Sequence, residues 1–387
     1  MTKTAATLWA AAGLALAAAV SLGLARFAYA MLLPPMRADL GWSYLTAGAM
    51  NTVNAAGYLL GALLMPRLLR HVDARRLLLA GGLAAALLLA LHGATRQEGL
   101  LYALRAAAGL ASAASFVTGG LLAARLASAP GSGVGPGLVL GLYYGGTGLG
   151  IIASALIAPP LAWQAAWAAL GALCLLFTGL TAVCTGALAA PPAPGARLVG
   201  AAWGPLLRRF GWGLLGYLMF GLGYIGYMTF VITLLREQGL DAVQRSAFYV
   251  LLGLGVVASS WIWSGLLQRW RDGRTLALLN ALLALATLLP VLGGHPGLVF
   301  ASGLLFGGVF LSVVASTTAL VRHNLPPESW PAGIALFTIV FAGGQIVGPM
   351  LVGWVADGEG GLLRGFAVSA ALLAAGSVMA TRQRALA

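Results

Sequence analysis

Gly23-Leu24-Ala25-Arg26-Phe27-Ala28-Tyr29-Ala30-Met31-Leu32-Leu33-Pro34-Pro35 is an apolar run broken by a single arginine, and its reading decides the class of the chain. A guanidinium at bilayer depth costs about 2.5–3.5 kcal/mol on the lenient insertion scales, so it is expected to face a protein interior or a wet cavity. Arg26 is therefore the first candidate functional residue. The plainer alternative is that it snorkels to the outer headgroups or pairs with a neighbouring helix. Tyr29 follows three residues on, on the same helical face. Pro34 and Pro35 are expected to mark where the segment leaves the membrane.

The remainder of the chain supports a membrane setting. Of its 387 residues 60% are hydrophobic and 8% charged, and the mean hydropathy is +0.93, which is too apolar for a soluble domain of this length. The net charge of +13 would suit a nucleic-acid binder only with a continuous basic patch. The arginines fall instead in short clusters between apolar segments, so no nucleic-acid partner is expected. Cys174 and Cys184 share one apolar segment without CxxC spacing and read as small packing residues. Lys3 followed by an apolar run resembles a cleavable signal. The run is longer than a usual signal core, however, and Arg26 precedes the small residues Ala28 and Ala30, so it is read as a first membrane helix.

Stretches of bilayer-spanning length run at about 8–34, 44–66, 77–94, 100–124, 137–158, 163–187, 210–234, 246–267, 275–293, 298–320, 331–356 and 362–381. The expected fold is thus an all-α membrane protein of twelve transmembrane helices. Residues 189–205, AAPPAPGARLVGAAWGP, are rich in proline and glycine and read as a linker. It divides an N-terminal bundle, 1–188, from a C-terminal bundle, 206–387. With the N-terminus inside, most of the basic residues fall on the inner side, among them Lys3, Arg67, Arg70, Arg75, Arg76, Arg208, Arg209, Arg269, Arg271 and Arg274. Both termini and the linker are therefore expected to be cytoplasmic.

Internal repetition points the same way. Shifted by 198 residues, Gly23-Leu24 with Tyr29 lands on Gly221-Leu222 with Tyr227, Gly145 to Gly150 on Gly343 to Gly348, and Arg76 on Arg274. A single offset joining three separate places favours a parallel duplication into two pseudo-symmetric six-helix bundles.

These features resemble the major facilitator superfamily. More narrowly, GLARFAYAMLLPPM at 23–36, FGLGYIGYMTF at 220–230 and GGQIVGPMLVGWVAD at 343–357 resemble the YbfB/YjiJ branch of bacterial transporters. The resemblance implies two bundles about a central cavity, alternating access and a bacterial inner-membrane location. Gly265 to Arg274 is similar to the superfamily's G-x-L-x-D-R-x-G-R-R loop, with Gln268 in place of the acid. That likeness assigns Arg269 and Arg274 to a cytoplasmic latch. Arg105 to Gly109, R-x-x-x-G, resembles an element tied to energy coupling in proton-coupled members, which keeps a coupling proton open. In the first half Met65 and Pro66 replace the charged pair of the loop pattern.

Polar groups inside a bilayer need protein or water partners, so they locate a cavity. Asn51, Asn54 and Tyr58 form one stripe, and Tyr217, Tyr224 and Tyr227 are expected to share a face. Tyr143, Tyr144 and Thr147, Ser112 and Ser115, Ser312 and Ser316, and Thr338 and Gln345 complete the candidate lining. The plainer reading, hydroxyls bonded back to their own helices, is expected for about half of the serines and threonines. Arg26, Tyr29, Asn51, Asn54, Tyr224, Tyr227 and Gln345 are the candidate substrate contacts. Gly57, Gly61, Gly145 and Gly348 are expected to let helices approach closely, and Pro349 to kink its helix.

All nine acidic residues lie in or near loops, which disfavours a cationic substrate. A buried guanidinium instead suits an anionic group, which it can grip with two donors. His71, His92, His295 and His323 lie in loops or at segment ends, with no HExxH or carboxylate pair, so no catalytic or metal-ligating residues are expected and a membrane-embedded enzyme is a minor alternative. No G-x-x-x-x-G-K-[ST] appears and no cofactor is expected. The expectation is a secondary transporter of a small solute, with an organic anion as its favoured cargo and the lipid bilayer as its other partner. An exporter of hydrophobic drugs or metabolites is the runner-up.

Overall fold

The computed structural model describes residues 2–129, 133–188, 203–293 and 295–386. Among them the long elements are all helices: α1 (Lys3–Leu40), α2 (Tyr44–Leu68), α3 (Ala74–His92), α4 (Glu98–Ala127), α5 (Pro136–Ile157), α6 (Trp163–Cys184), α7 (Gly211–Glu237), α8 (Ala242–Arg269), α9 (Arg274–Leu292), α10 (Pro296–Asn324), α11 (Trp330–Ala356) and α12 (Gly361–Thr381). From 189 to 202 the expected linker lies outside the described residues; a short helix, Trp203–Arg209, follows.

Local chemistry sets many of the helix ends. The Asp73 carboxylate accepts from the backbone of Arg75 and Arg76 at the start of α3, satisfying donors that have no partner within the helix. Pro136 and Pro296 occupy first turns, where a missing N–H costs nothing. Gly41, at φ 68°, closes α1 in the left-handed conformation that glycine tolerates. Pro34 and Pro35 lie inside α1, which continues past them to Leu40.

Among the described residues, eleven of these helices are long and apolar enough to cross a membrane. The remaining one, α2, is 25 residues long; Asn51 and Asn54 make it less apolar than the others. On α3, Leu83, Leu87 and Leu91 are 51%, 62% and 41% exposed while Leu78, Ala85 and Leu89 are buried. An exposed leucine row at four-residue spacing is a lipid-facing surface.

The chain forms two compact units. The first comprises residues 1–41, 53–196 and 241–257, and the second 42–52, 197–240 and 258–387. Within the first, α1 packs on α5 and α6, and α3 on α4 and α6. Within the second, α7 packs on α11 and α12, and α9 on α10 and α12. This is the same pattern six helices later, as a duplicated bundle requires. The units also exchange arms: the first part of α2 belongs to the second unit and the first part of α8 to the first.

Candidate functional site

In the first unit the site is built on a defect in α1. Residues Ala19–Phe27 are wound as a π-helix, with Ala28 N donating five residues back to the Gly23 carbonyl at 2.9 Å. Such widened turns are uncommon and occur often at functional positions. Neighbouring side chains attend to the carbonyls of this turn. Ser112 of α4 donates to the Ser21 carbonyl, and Arg105 Nη1 to that of Ala25 at 3.1 Å.

Arg26 sits in this turn and is 3% exposed. Its Nε and Nη2 are buried and have no hydrogen-bond partner among the described residues. The guanidinium instead lies 5.7 Å from the ring centroid of Tyr58 on α2 and 5.8 Å from that of Phe27. None of the nine acidic residues is buried. The guanidinium is thus desolvated, faces aromatic rings and leaves two of its nitrogens unpaired among the described residues.

Arg105 is equally buried and lies over the ring of Tyr29, 4.7 Å from its centroid. Its charge is close enough to interact with that of Arg26. Asn54 donates to the Arg105 carbonyl at 3.0 Å, while its Oδ1 has no hydrogen-bond partner among the described residues, nor have the hydroxyls of Ser115 and Thr147. The structure thus brings Arg26, Tyr29, Asn54, Tyr58 and Arg105 together in one unit.

The other expected contacts lie in the second unit. Asn51, on the arm of α2, donates to Thr229 Oγ1 at 2.7 Å, and Thr229 to the Ile225 carbonyl at 2.6 Å. The expected Asn51–Asn54–Tyr58 stripe is therefore divided between the two units. Gln345 of α11 donates to the Tyr224 hydroxyl. Tyr224 stacks on Phe220, 4.6 Å between centroids, and Phe220 on Phe341 at 5.3 Å, with Tyr217 on Phe341 at 4.8 Å. Tyr224 and Tyr227 both meet α10: Tyr224 stacks on Phe310 at 6.0 Å, and Tyr227 stacks on Phe306 at 3.9 Å with its hydroxyl paired with Ser302 at 2.6 Å.

The glycines act as packing residues to differing degrees. A Cβ on Gly57 would strike the Ala106 carbonyl, one on Gly61 would fall 2.8 Å from the Ala113 Cβ, and one on Gly348 2.5 Å from the Leu222 carbonyl. Gly145 has only ordinary contact with Val257. Pro349 lies within α11, which continues to Ala356. Arg274 pairs with Asp272 of its own loop at 3.1 Å, an exposed pair of small energetic weight, and Arg269 is exposed. Of the hydroxyls, Ser154, Thr118, Thr178, Ser316 and Thr338 bond back to their own helices, whereas Ser112 and Ser312 reach other helices.

Two polar residues of structural weight escaped the sequence reading. His92, placed at a segment end, is fully buried and stacks on Trp167 at 4.7 Å. Gln383, near the C-terminus, is also buried. It accepts from Gly213 N and donates to the Arg209 carbonyl, both at 3.0 Å.

A helical membrane protein of two like-packed units is the architecture of the major facilitator transporters, and solved structures of such proteins superpose on it. A point mutant of the nucleoside transporter NupG aligns with a TM-score of 0.74 at 13% identity, covering 96% of this chain and 98% of that one. A bacterial homolog of the human lysosomal transporter Spinster, inward-facing and unoccupied, gives 0.68 at 14%, covering 97% and 95%. The human organic anion transporter MFSD10 (TETRAN) gives 0.66 at 15%, covering 98% and 99%. No curated protein matches the chain in sequence. Residues 5–381 match the family described as the uncharacterised MFS-type transporter YbfB, and the chain belongs to that family. It is an MFS-type membrane transporter.

Proposed function

We propose that this transporter is a secondary carrier of small organic anions, working by alternating access in a bacterial inner membrane. The observation that carries this reading is the pair of unused, buried donors on Arg26, a desolvated cation for which the chain supplies no buried acid. An incoming carboxylate would satisfy both at once. Tyr29 and Asn54 shape that site; Asn51, Tyr224, Tyr227 and Gln345 shape the route through the second unit. The supporting frame is twelve spans, with bundles at 1–188 and 206–387 joined by a cytoplasmic linker and both termini inside. Arg269 and Arg274 serve as a cytoplasmic latch. An anion is also the cargo named for the solved transporter MFSD10, whose likeness extends to the fold.

A thermal-shift screen of the detergent-purified protein tests this reading, because a ligand bound only by the folded state raises apparent stability. Benzoate, lactate and pyruvate are compared with nucleosides, sugars and hydrophobic cations, each against wild type, Arg26→Ala and Arg26→Lys. Stabilisation by a carboxylate that is lost in Arg26→Ala and weakened in Arg26→Lys is the expected result. Stabilisation only by hydrophobic cations, unchanged in both variants, would overturn it. That outcome would favour the export of hydrophobic compounds, a reading to which the Tyr217–Phe220–Tyr224–Phe341 stack lends some support.

A further inference from the structure

An anion carrier driven by protons needs a group that takes up the proton, and the nine carboxylates are exposed or half-buried. His92 is fully buried at the end of α3. Its Nδ1 lies 2.7 Å from the Leu88 carbonyl. A carbonyl only accepts, so Nδ1 carries the hydrogen and Nε2 is left as a bare lone pair. That Nε2 is buried and has no hydrogen-bond partner among the described residues.

The surroundings couple this lone pair to the anion site. From α6 His92 meets the uncharged ring of Trp167, stacked at 4.7 Å, whose Nε1 is directed at Met36 Sδ of α1. Burial, and after it the charge of Arg105 on α4, hold the ring neutral while no anion is present. Arg105 in turn lies over Tyr29, donates to the Ala25 carbonyl and feels the charge of Arg26. Nearby acids are otherwise engaged or exposed: Asp39 pairs with Arg96 at 2.7 Å and accepts from Trp163 at 2.8 Å, and Glu98 is exposed.

We propose that His92 is the proton site of this transporter, coupled through Arg105 to an anion held at Arg26. The inference rests on the anion reading above. The Nε2 lone pair takes one proton from the aqueous phase and the ring gains one positive charge. A monocarboxylate at Arg26 brings one negative charge, so the net charge inside the bilayer is unchanged when both arrive. An anion that offsets the arginine charges favours the imidazolium, and by reciprocity the imidazolium favours the anion. Trp167 offers its ring face to the charged form. Affinity for the anion therefore rises as pH falls.

The test uses benzoate, lactate and pyruvate, all ionised from pH 6.0 to 8.0, with purified full-length protein. Affinity is measured by calorimetry at both pH values, and proton uptake on binding is followed in weakly buffered solution. Wild type is expected to bind the stabilising carboxylate at least about fivefold tighter at pH 6.0 and to take up protons as it binds. His92→Gln, whose amide can still donate to Leu88, is expected to bind with no pH dependence and no uptake, whereas Arg26→Ala loses binding at both pH values. If wild type binds a carboxylate equally at both pH values and releases or absorbs no protons, the His92 proposal is overturned while the anion reading stands. If none of the three binds, the anion reading fails and this inference with it. If His92→Gln folds, binds and keeps the wild-type pH dependence, the proton site lies elsewhere. If the variant does not fold, NMR of the wild-type His92 ring is expected to show it becoming charged as the stabilising carboxylate binds at pH 6.0, and a ring that stays neutral overturns the proposal.

Discussion

Gly23 of α1 and Gly150 of α5 meet so closely that a Cβ on Gly23 would fall 2.5 Å from the Cα of Gly150. At the repeated positions, Gly221 faces Gly344 and Gly348 faces the Leu222 carbonyl. The glycines of the duplicated pattern thus do equivalent work in the two units, holding α1 on α5 and α7 on α11. Gly150→Leu and Gly348→Leu are each expected to cost about 1–3 kcal/mol by overpacking. Gly343→Leu, where an added Cβ meets no neighbouring element within 4 Å among the described residues, should stay within about 0.5 kcal/mol of wild type. Denaturant titration of the three variants in detergent checks this.

The two exchanged arms are fastened at equivalent points. Tyr249 of α8 donates to the Phe27 carbonyl at 2.6 Å. Asn51, its counterpart 198 residues earlier, reaches the Ile225 carbonyl through Thr229; Ile225 is the counterpart of Phe27. Tyr249→Phe should therefore lower stability by about 0.5–1.5 kcal/mol. Asn51→Ala and Thr229→Val should show a coupling energy of at least about 0.5 kcal/mol in a double-mutant cycle. Additive effects of the two would mean that the bond contributes nothing.

Asp357, just beyond α11, caps the arm of α2, accepting from Tyr44 N at 2.7 Å and Leu45 N at 2.9 Å. The Tyr44 hydroxyl also pairs with Glu237. Asp357→Ala is expected to cost about 0.5–2 kcal/mol and to speed hydrogen exchange at residues 44–48. Asp357→Asn, which retains one acceptor, should cost less.

Gln383 binds Gly213 N, the Arg209 carbonyl and, through its own carbonyl, Gly273 N at 2.9 Å. Gln383→Ala should cost about 1–3 kcal/mol, since a buried backbone donor is left unpaired. Equal stability of the variant and wild type in thermal unfolding would show that water replaces the amide.

Much of this architecture is legible in the residue pattern because hydropathy over a bilayer-length window is a strong signal. The expected segments at 44–66, 137–158 and 331–356 differ from α2, α5 and α11 by at most two residues at either end. The duplication is legible in its glycines, since close backbone approach admits no other residue. Arg26 stands out by its charge alone.

What surrounds these residues is less accessible. The π-turn of α1 is a matter of which carbonyl each N–H chooses, and apolar composition does not record it. The seventh-segment tyrosines carry a helical spacing, but that Tyr224 meets Phe310 and Tyr227 meets Phe306 and Ser302 depends on α10, far along the chain. His92 and Gln383 sit at helix ends, where sequence cannot tell a solvated side chain from one roofed over by a distant element. Asp357 reads correctly as a loop residue, but its partners lie 313 and 312 residues away.

The polar character of α2 has a consequence for how the protein is made. Asn54 finds its acceptor, the Arg105 carbonyl, 51 residues later in the chain, and Asn51 finds Thr229 only 178 residues later. At the pace of synthesis, roughly 5–20 residues per second, the second amide waits on the order of ten seconds or more to meet Thr229. Throughout that interval the bond that fastens this arm of α2 to α7 is unmade. The arm is held only by the insertion machinery, by water and by the helices already delivered.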